Sequence, residues 1–133
     1  MSKIIFTNGC FDIVHRAHFE LLRYCKSIGS EVIVGLNSDK SVKKLKGSSR
    51  PYNSEKDRKF VLESCKYVDR VIIFEEETPY NLINKIKPDI IIKGGDYTPK
   101  EVVGSDIAKV EIFNYISGYS TTKILDKKNK EDV

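Results

Sequence analysis

The chain has 133 residues, 40% of them hydrophobic and 32% charged, with 23 basic and 19 acidic side chains for a formal net charge of +4. That length and balance fit one globular domain with a buried core, and the mild positive charge suits a small anionic ligand rather than nucleic acid. No apolar run is long enough to span a membrane, and the start MSKIIFTNG lacks the apolar stretch of a signal peptide, so no membrane partner is expected.

In chain order, KIIFTN reads as a buried strand. His15 to Ser27 reads as a helix, with Phe19, Leu21, Leu22 and Cys25 on one broad face and Gly29 as its stop. EVIVGLN is a second buried strand, and the polar stretch Lys46 to Asn53 (KGSSRPYN) is a loop and a candidate mobile one. Ser54 opens a helix to Cys65 as its N-cap. RVIIF is a third strand, followed by a helix from a Thr78 cap to Ile86, which Lys87-Pro88 ends. DIIIK and VEIF are the fourth and fifth strands, and Ser120 or Thr121 caps a last helix toward Leu125. The expected organisation is a single domain over 1–126 and a polar tail over 127–133.

Strands alternating with helices, and almost continuously Val/Ile-rich, predict an α/β fold: a mainly parallel sheet of about five strands covered on both faces. Right-handed crossovers place the carboxyl ends of all strands on one edge, where open α/β sheets bind ligands. Four motifs follow strands and so converge there: TNGCFDIVHRAH, NSDKSVKKLKG, KGGDY and GYSTT. That convergence predicts a site the size of a nucleotide.

The first motif holds both histidines of the chain, His15 and His18, at i and i+3 in the first turn of a helix. A metal site would need further ligands, and there is no third histidine and no clustered cysteine. Two structural core histidines are one remaining reading. An anion clamp is the other, combining the free N–H groups of a helix start with two imidazole donors, and Gly9 letting backbone approach the ligand. The cysteines Cys10, Cys25 and Cys65 are odd in number with no paired spacing, which reads as free thiols in a reducing cytosol. Cys10 as a nucleophile would need a base beside it, and none is evident. In KGGDY, Gly94 and Gly95 allow a tight turn and Asp96 can accept from a ribose hydroxyl, although such a tripeptide is also an ordinary turn. In GYSTT, Ser120, Thr121 and Thr122 read either as a plain helix cap or as a phosphate-binding helix start.

NGCFDIVHRAH resembles the signature Gly-x-Phe-Asp-x-x-His-x-Gly-His of the cytidylyltransferase-like nucleotidyltransferases, with Ala17 where the family has glycine. The resemblance implies a Rossmann-like three-layer sandwich. It also implies that His15 and His18 bind a nucleoside triphosphate and stabilise charge at its α-phosphate, with Gly9, Cys10 and Phe11 in the nucleotide site. It gives Ser120, Thr121 and Thr122 the β- and γ-phosphates, and leaves Gly94 and Asp96 as candidates for the nucleoside on the turn argument above. Lys46, beside Gly47, is the lysine expected to reach the triphosphate. Arg50 and Arg58 are candidates for the acceptor phosphate or the triphosphate, since guanidinium forks suit phosphate oxygens; surface salt bridging is the other reading, above all for Arg58 within a helix. Asp12, next to the histidines, either orients one of them or touches substrate or, through water, the metal; a capping or structural role is the equal alternative. The extra methyl of Ala17 is expected beside the ligand path, where it could crowd the nucleotide.

Further motifs, from NSD and LKG to KGGDYTPKEVVG and GYSTT, resemble the adenylyltransferase domain of the ADP-heptose synthases from about Lys3 to Leu125. That resemblance implies transfer of AMP from ATP to heptose 1-phosphate with release of pyrophosphate, in the synthesis of surface polysaccharide. Mg²⁺ is expected to be bound mainly through the nucleotide phosphates, and a cytoplasmic homodimer is expected. Two alternatives stay open: a CTP-dependent enzyme acting on glycerol 3-phosphate, and a nucleotide-binding module without turnover. The first is disfavoured because Tyr115 and Gly94-Gly95-Asp96-Tyr97 replace the arginine and the Gly-Asp-Asp-Trp loop of the glycerol-3-phosphate cytidylyltransferases.

Overall fold

The structure is a computed structural model, and it describes residues 2–114. Its strands are the β-branched runs of the sequence: β1 (Ile4–Gly9), β2 (Glu31–Asn37), β3 (Arg70–Phe74), β4 (Ile90–Gly94) and β5 (Lys109–Phe113). They form one all-parallel sheet in the order β3-β2-β1-β4-β5. In register, Phe6 of β1 lies beside Ile33 of β2 on one side and Ile91 of β4 on the other.

Because strand side chains alternate between faces, each strand feeds two cores. Ile5, Val32, Val34, Ile90 and Ile92 point to one face, where they meet Leu21, Leu22 and Cys25 of α1 (Arg16–Ile28) and Leu62 of α3 (Glu55–Glu63). Phe6, Ile33 and Ile91 point to the other face, against Ile83 of α4 (Tyr80–Ile86) and Val102. Each fully buried Leu or Ile of these layers contributes about 1.5–3 kcal/mol. The result is the three-layer Rossmann-like sandwich expected from the alternation. Gly35 leaves room for the neighbouring strand's aromatic ring, since a Cβ there would sit 2.6 Å from Phe6 Cζ.

Three local features add to or differ from the sequence expectations. Residues 38–46 hold a helix, α2 (Asp39–Lys46), capped by Ser38, whose hydroxyl accepts from Ser41 N; only Ser41 and Val42 of it are buried, so the sequence offers no apolar stripe. Thr78 does not cap α4; Pro79 holds that place with no side-chain bond. The stretch after α2, a candidate mobile loop, is bonded to Asp12 at Arg50, Tyr52 and Asn53, as described below. The helix expected toward Leu125 and the tail over 127–133 lie outside the described residues. Among the described residues no helix is long and apolar enough to cross a membrane.

The chain runs outward from β1 to β2 and β3, then crosses back to β4 on the other side of β1. The strand order therefore reverses between β1 and β4, and a crevice opens beyond their carboxyl ends.

Candidate functional site

A cavity of about 830 Å³ occupies that crevice, within the usual range for small-molecule sites. It gathers motifs distant in sequence: Gly9, Cys10 and Phe11 after β1, both histidines, Lys46 and Arg50 after β2, and Gly94 and Asp96 after β4. Ser120, Thr121 and Thr122 lie outside the described residues.

The histidines build their own helix start. His15 is the N-cap of α1, and its Nδ1 accepts from Ala17 N at 3.3 Å. His18 Nδ1 accepts in return from His15 N at 3.1 Å. The rings lie 4.1 Å apart, and Phe11 packs against His18 at 5.3 Å. An Nδ1 that accepts carries no proton, so both rings hold theirs on Nε2. Backbone N–H groups expected to face an anion are thus engaged by the imidazoles, and the imidazoles replace them as donors. Burial lowers the His15 pKa, and burial followed by the neighbouring His15 brings His18 down to about 4. Both rings are neutral at pH 7.

This has a measurable consequence. Between pH 6.5 and about 4 the unfolded chain protonates a histidine that the folded protein keeps neutral. The His18 contribution is therefore complete above pH 6.5 and is lost as pH falls toward 4, a change of about 3 kcal/mol at 1.36 kcal/mol per pKa unit. Urea unfolding at pH 7 and pH 4.5 should show this loss in the wild type and a smaller one in His18→Ala. Equal losses in the two proteins would contradict it.

Phe11 has φ of 45°, a left-handed conformation rare for an aromatic residue, and its ring is buried. A Cβ on Gly9 would approach Phe11 Cε2 to 3.1 Å, so Gly9 makes room for this ring as well as lining the cavity. Ala17 is buried and does not line the cavity, so its methyl lies in the protein packing and not beside the ligand path.

Asp12 turns away from the role beside the histidines. Its carboxylate accepts from Arg50 Nε at 2.9 Å, Tyr52 N at 2.7 Å and Asn53 N at 2.8 Å, and its carbonyl accepts from Asn53 Nδ2. Burial raises its pKa, but these donors outweigh burial and hold it below the usual carboxylate range. Asp12 is thus the anchor of the 50–53 loop. Held by it, Arg50 lines the cavity with its Nη2 buried and without a hydrogen-bond partner.

Arg58 is corrected more strongly. Its side chain is fully buried and does not line the cavity. It donates to the carbonyls of Asn53, Cys10 and Asn37 and to Asp39 Oδ1, at 2.7–2.9 Å. A guanidinium buried behind the cavity and held by four acceptors is out of reach of a substrate phosphate, and its work is to hold three loops together.

Lys46 ends α2 at the cavity rim, where Gly47, at φ of 103°, stops the helix. At the other side, Gly95 makes the KGGDY turn with φ of 109°, and Gly94 and Asp96 line the cavity. Cys10 lines it too; burial raises its pKa despite Lys46, Arg58, Arg50 and Lys93 nearby, so it stays a thiol and not a nucleophile. Lys93, the last side chain before the glycines, also faces the cavity. The sequence reading did not single it out, although a cation ending an apolar strand on the ligand edge is a usable signal. Among the described residues no three His, Cys, Asp or Glu side chains cluster to hold a metal ion.

A family model described as cytidylyltransferase-like matches residues 6–127. The bifunctional protein HldE of Nitratiruptor sp. is 56% identical over 127 residues, covering 95% of this chain and 28% of that protein. That of Helicobacter pylori is 54% identical over the same shares. The chain thus spans about a quarter of the length of the curated relatives it matches. Among solved structures, the lipopolysaccharide core biosynthesis protein of Thermoplasma volcanium superposes with a TM-score of 0.71 at 28% identity, covering 89% of this chain and 98% of that one. A pantoate-beta-alanine ligase of Francisella tularensis, at 16% identity and a TM-score of 0.63, covers 99% of this chain and 71% of its own and shares the fold.

Proposed function

From the premise that this chain belongs to the cytidylyltransferase-like nucleotidyltransferase family, we propose that it moves AMP from ATP to heptose 1-phosphate and releases pyrophosphate. The observation that carries this reading is the pair of neutral, Nε2-protonated imidazoles set with Lys46 and Arg50 in one cavity at the strand-order reversal. Similarity to HldE proteins and to a lipopolysaccharide core biosynthesis protein supports a sugar phosphate as acceptor.

In this reading an oxygen of the acceptor phosphate attacks the α-phosphorus in line. The bond from that phosphorus to the bridging oxygen breaks, and pyrophosphate leaves with the bond's electron pair. No protein nucleophile is needed, in keeping with the protonated thiol of Cys10. His15 and His18 donate to oxygens of the α-phosphate, and such preorganised donors act where charge develops. Lys46 draws on the departing pyrophosphate, and Ser120, Thr121 and Thr122 are proposed to share that load. Gly94 and Asp96 take the nucleoside side. Asp12 has its carboxylate committed to Arg50, Tyr52 and Asn53. Magnesium would therefore be held by phosphate oxygens and water, and would neutralise part of the triphosphate charge.

The test is pyrophosphate release with ATP or CTP, each offered heptose 1-phosphate or glycerol 3-phosphate. The expected result is release with ATP and heptose 1-phosphate, at least tenfold above the other three combinations. Faster release with CTP and glycerol 3-phosphate, or binding of ATP with no release for either acceptor, would overturn the reading.

A further inference from the structure

We propose that Lys93 is the side chain that receives the acceptor's phosphate, which makes it a substrate-binding residue of the transfer reaction. The inference rests on the reading above in two respects, the placing of the α-phosphate at the histidines and the assignment of Lys46 to the leaving pyrophosphate.

Lys93 is a half-buried cation on the cavity wall, and no anion of the described residues balances it. Among the described residues no carboxylate lies within salt-bridge distance of its Nζ, which stands over the Tyr97 ring, 5.5 Å from its centroid. A cation–π contact offsets only part of the cost of withdrawing an ammonium from water. Burial accordingly pulls its pKa below the ordinary lysine value, with the like charge of Lys46 adding to the effect. A cation partly withdrawn from water at a cavity wall, with no counter-ion among the described residues, is completed by an anionic ligand.

Which anion follows from the sheet. In-line displacement puts the incoming and departing groups on opposite sides of the phosphorus. Lys46 ends the helix that follows β2, and Lys93 stands in β4. The strand between β2 and β4 is β1, which leads to the histidines. With the α-phosphate at the histidines and pyrophosphate toward Lys46, the nucleophile's side is the side of Lys93. The other cation on the cavity, Arg50, has its charge balanced by Asp12.

The test compares wild type with Lys93→Met, which keeps length and removes charge, and Lys93→Arg. For Lys93→Met the KM for the sugar phosphate should rise on the order of tenfold to hundredfold, the scale of one charge-assisted hydrogen bond. The KM for ATP should change by less than about threefold, and Lys93→Arg should recover part of the loss. An unchanged acceptor KM, or a rise confined to ATP, would overturn the assignment. A second measurement does not depend on the sugar: phosphorus NMR titration of inorganic phosphate onto protein saturated with α,β-methylene-ATP. Wild type should bind phosphate and Lys93→Met should not; equal binding by both, or by neither, counts against Lys93. If wild type fails to bind the nucleotide analogue at all, the nucleotidyltransferase reading falls with it, whereas retention of phosphate by Lys93→Met overturns the Lys93 assignment alone.

Discussion

Replacing His18 with alanine is expected to lower turnover by about 10²–10³-fold while the fold survives. The reasoning separates two jobs of one ring. Structurally, His18 Nδ1 accepts the backbone N–H of His15 and its face packs on Phe11 and His15. Losing half of such a reciprocal cap costs about 1 kcal/mol, small beside the roughly 5–15 kcal/mol of a typical domain. Chemically, the same Nδ1 bond keeps the proton on Nε2, so the ring is a neutral donor already set in place. Removing that donor removes an interaction that strengthens as charge develops on the α-phosphate. The expected signature is therefore a fall in kcat with little change in the KM for ATP. Wild-type turnover in a folded His18→Ala protein would sink the mechanism. A matching loss of kcat and of the folded population would show that the ring is only structural.

What could be read in advance, and what could not, has a physical pattern. The strands EVIVGLN and RVIIF coincide with β2 and β3, because continuous β-branched runs are what a doubly covered parallel sheet requires. The histidine pair was legible for the same reason that its capping geometry works: both depend on i, i+3 spacing at a helix start. Helix α2 was not legible. DKSVKKLK buries only Ser41 and Val42, so its periodicity resembles a solvated charge cluster. Asp12 was placed near the histidines by sequence proximity, yet its carboxylate points to residues about forty positions away. Contacts of that range are set by the sheet's connectivity and leave no local trace. Lys93 shows the converse: its position was plain, but its partial burial and the lack of a carboxylate partner among the described residues are properties of the folded cavity.

Arg58 carries the largest expected effect on stability. Its guanidinium joins the loop after β1, through Cys10 O, to the end of β2, through Asn37 O, and to the segment before α3, through Asn53 O. Asp39 supplies the counter-charge at 2.8 Å. Arg58→Ala would leave those three carbonyls without this donor and open a void where a fully buried side chain stood. Breaking a buried, hydrogen-bonded ion pair from one side costs about 3–5 kcal/mol, which lowers the melting temperature of a domain this size by about 10–20 °C. Arg58→Lys should recover little, because one ammonium cannot span acceptors that a planar fork reaches in several directions. A substrate-binding arginine would behave in the opposite way, with a normal melt and a raised KM for its phosphate ligand. Thermal melting and acceptor KM measured on the same two variants therefore decide between the two roles. A melt like that of the wild type would overturn the structural one. The distinction matters for the site itself. Cys10 O and Asn53 O belong to the loops that carry Phe11 and the anchor of Arg50, so loosening Arg58 should disturb the cavity from behind without touching any ligand.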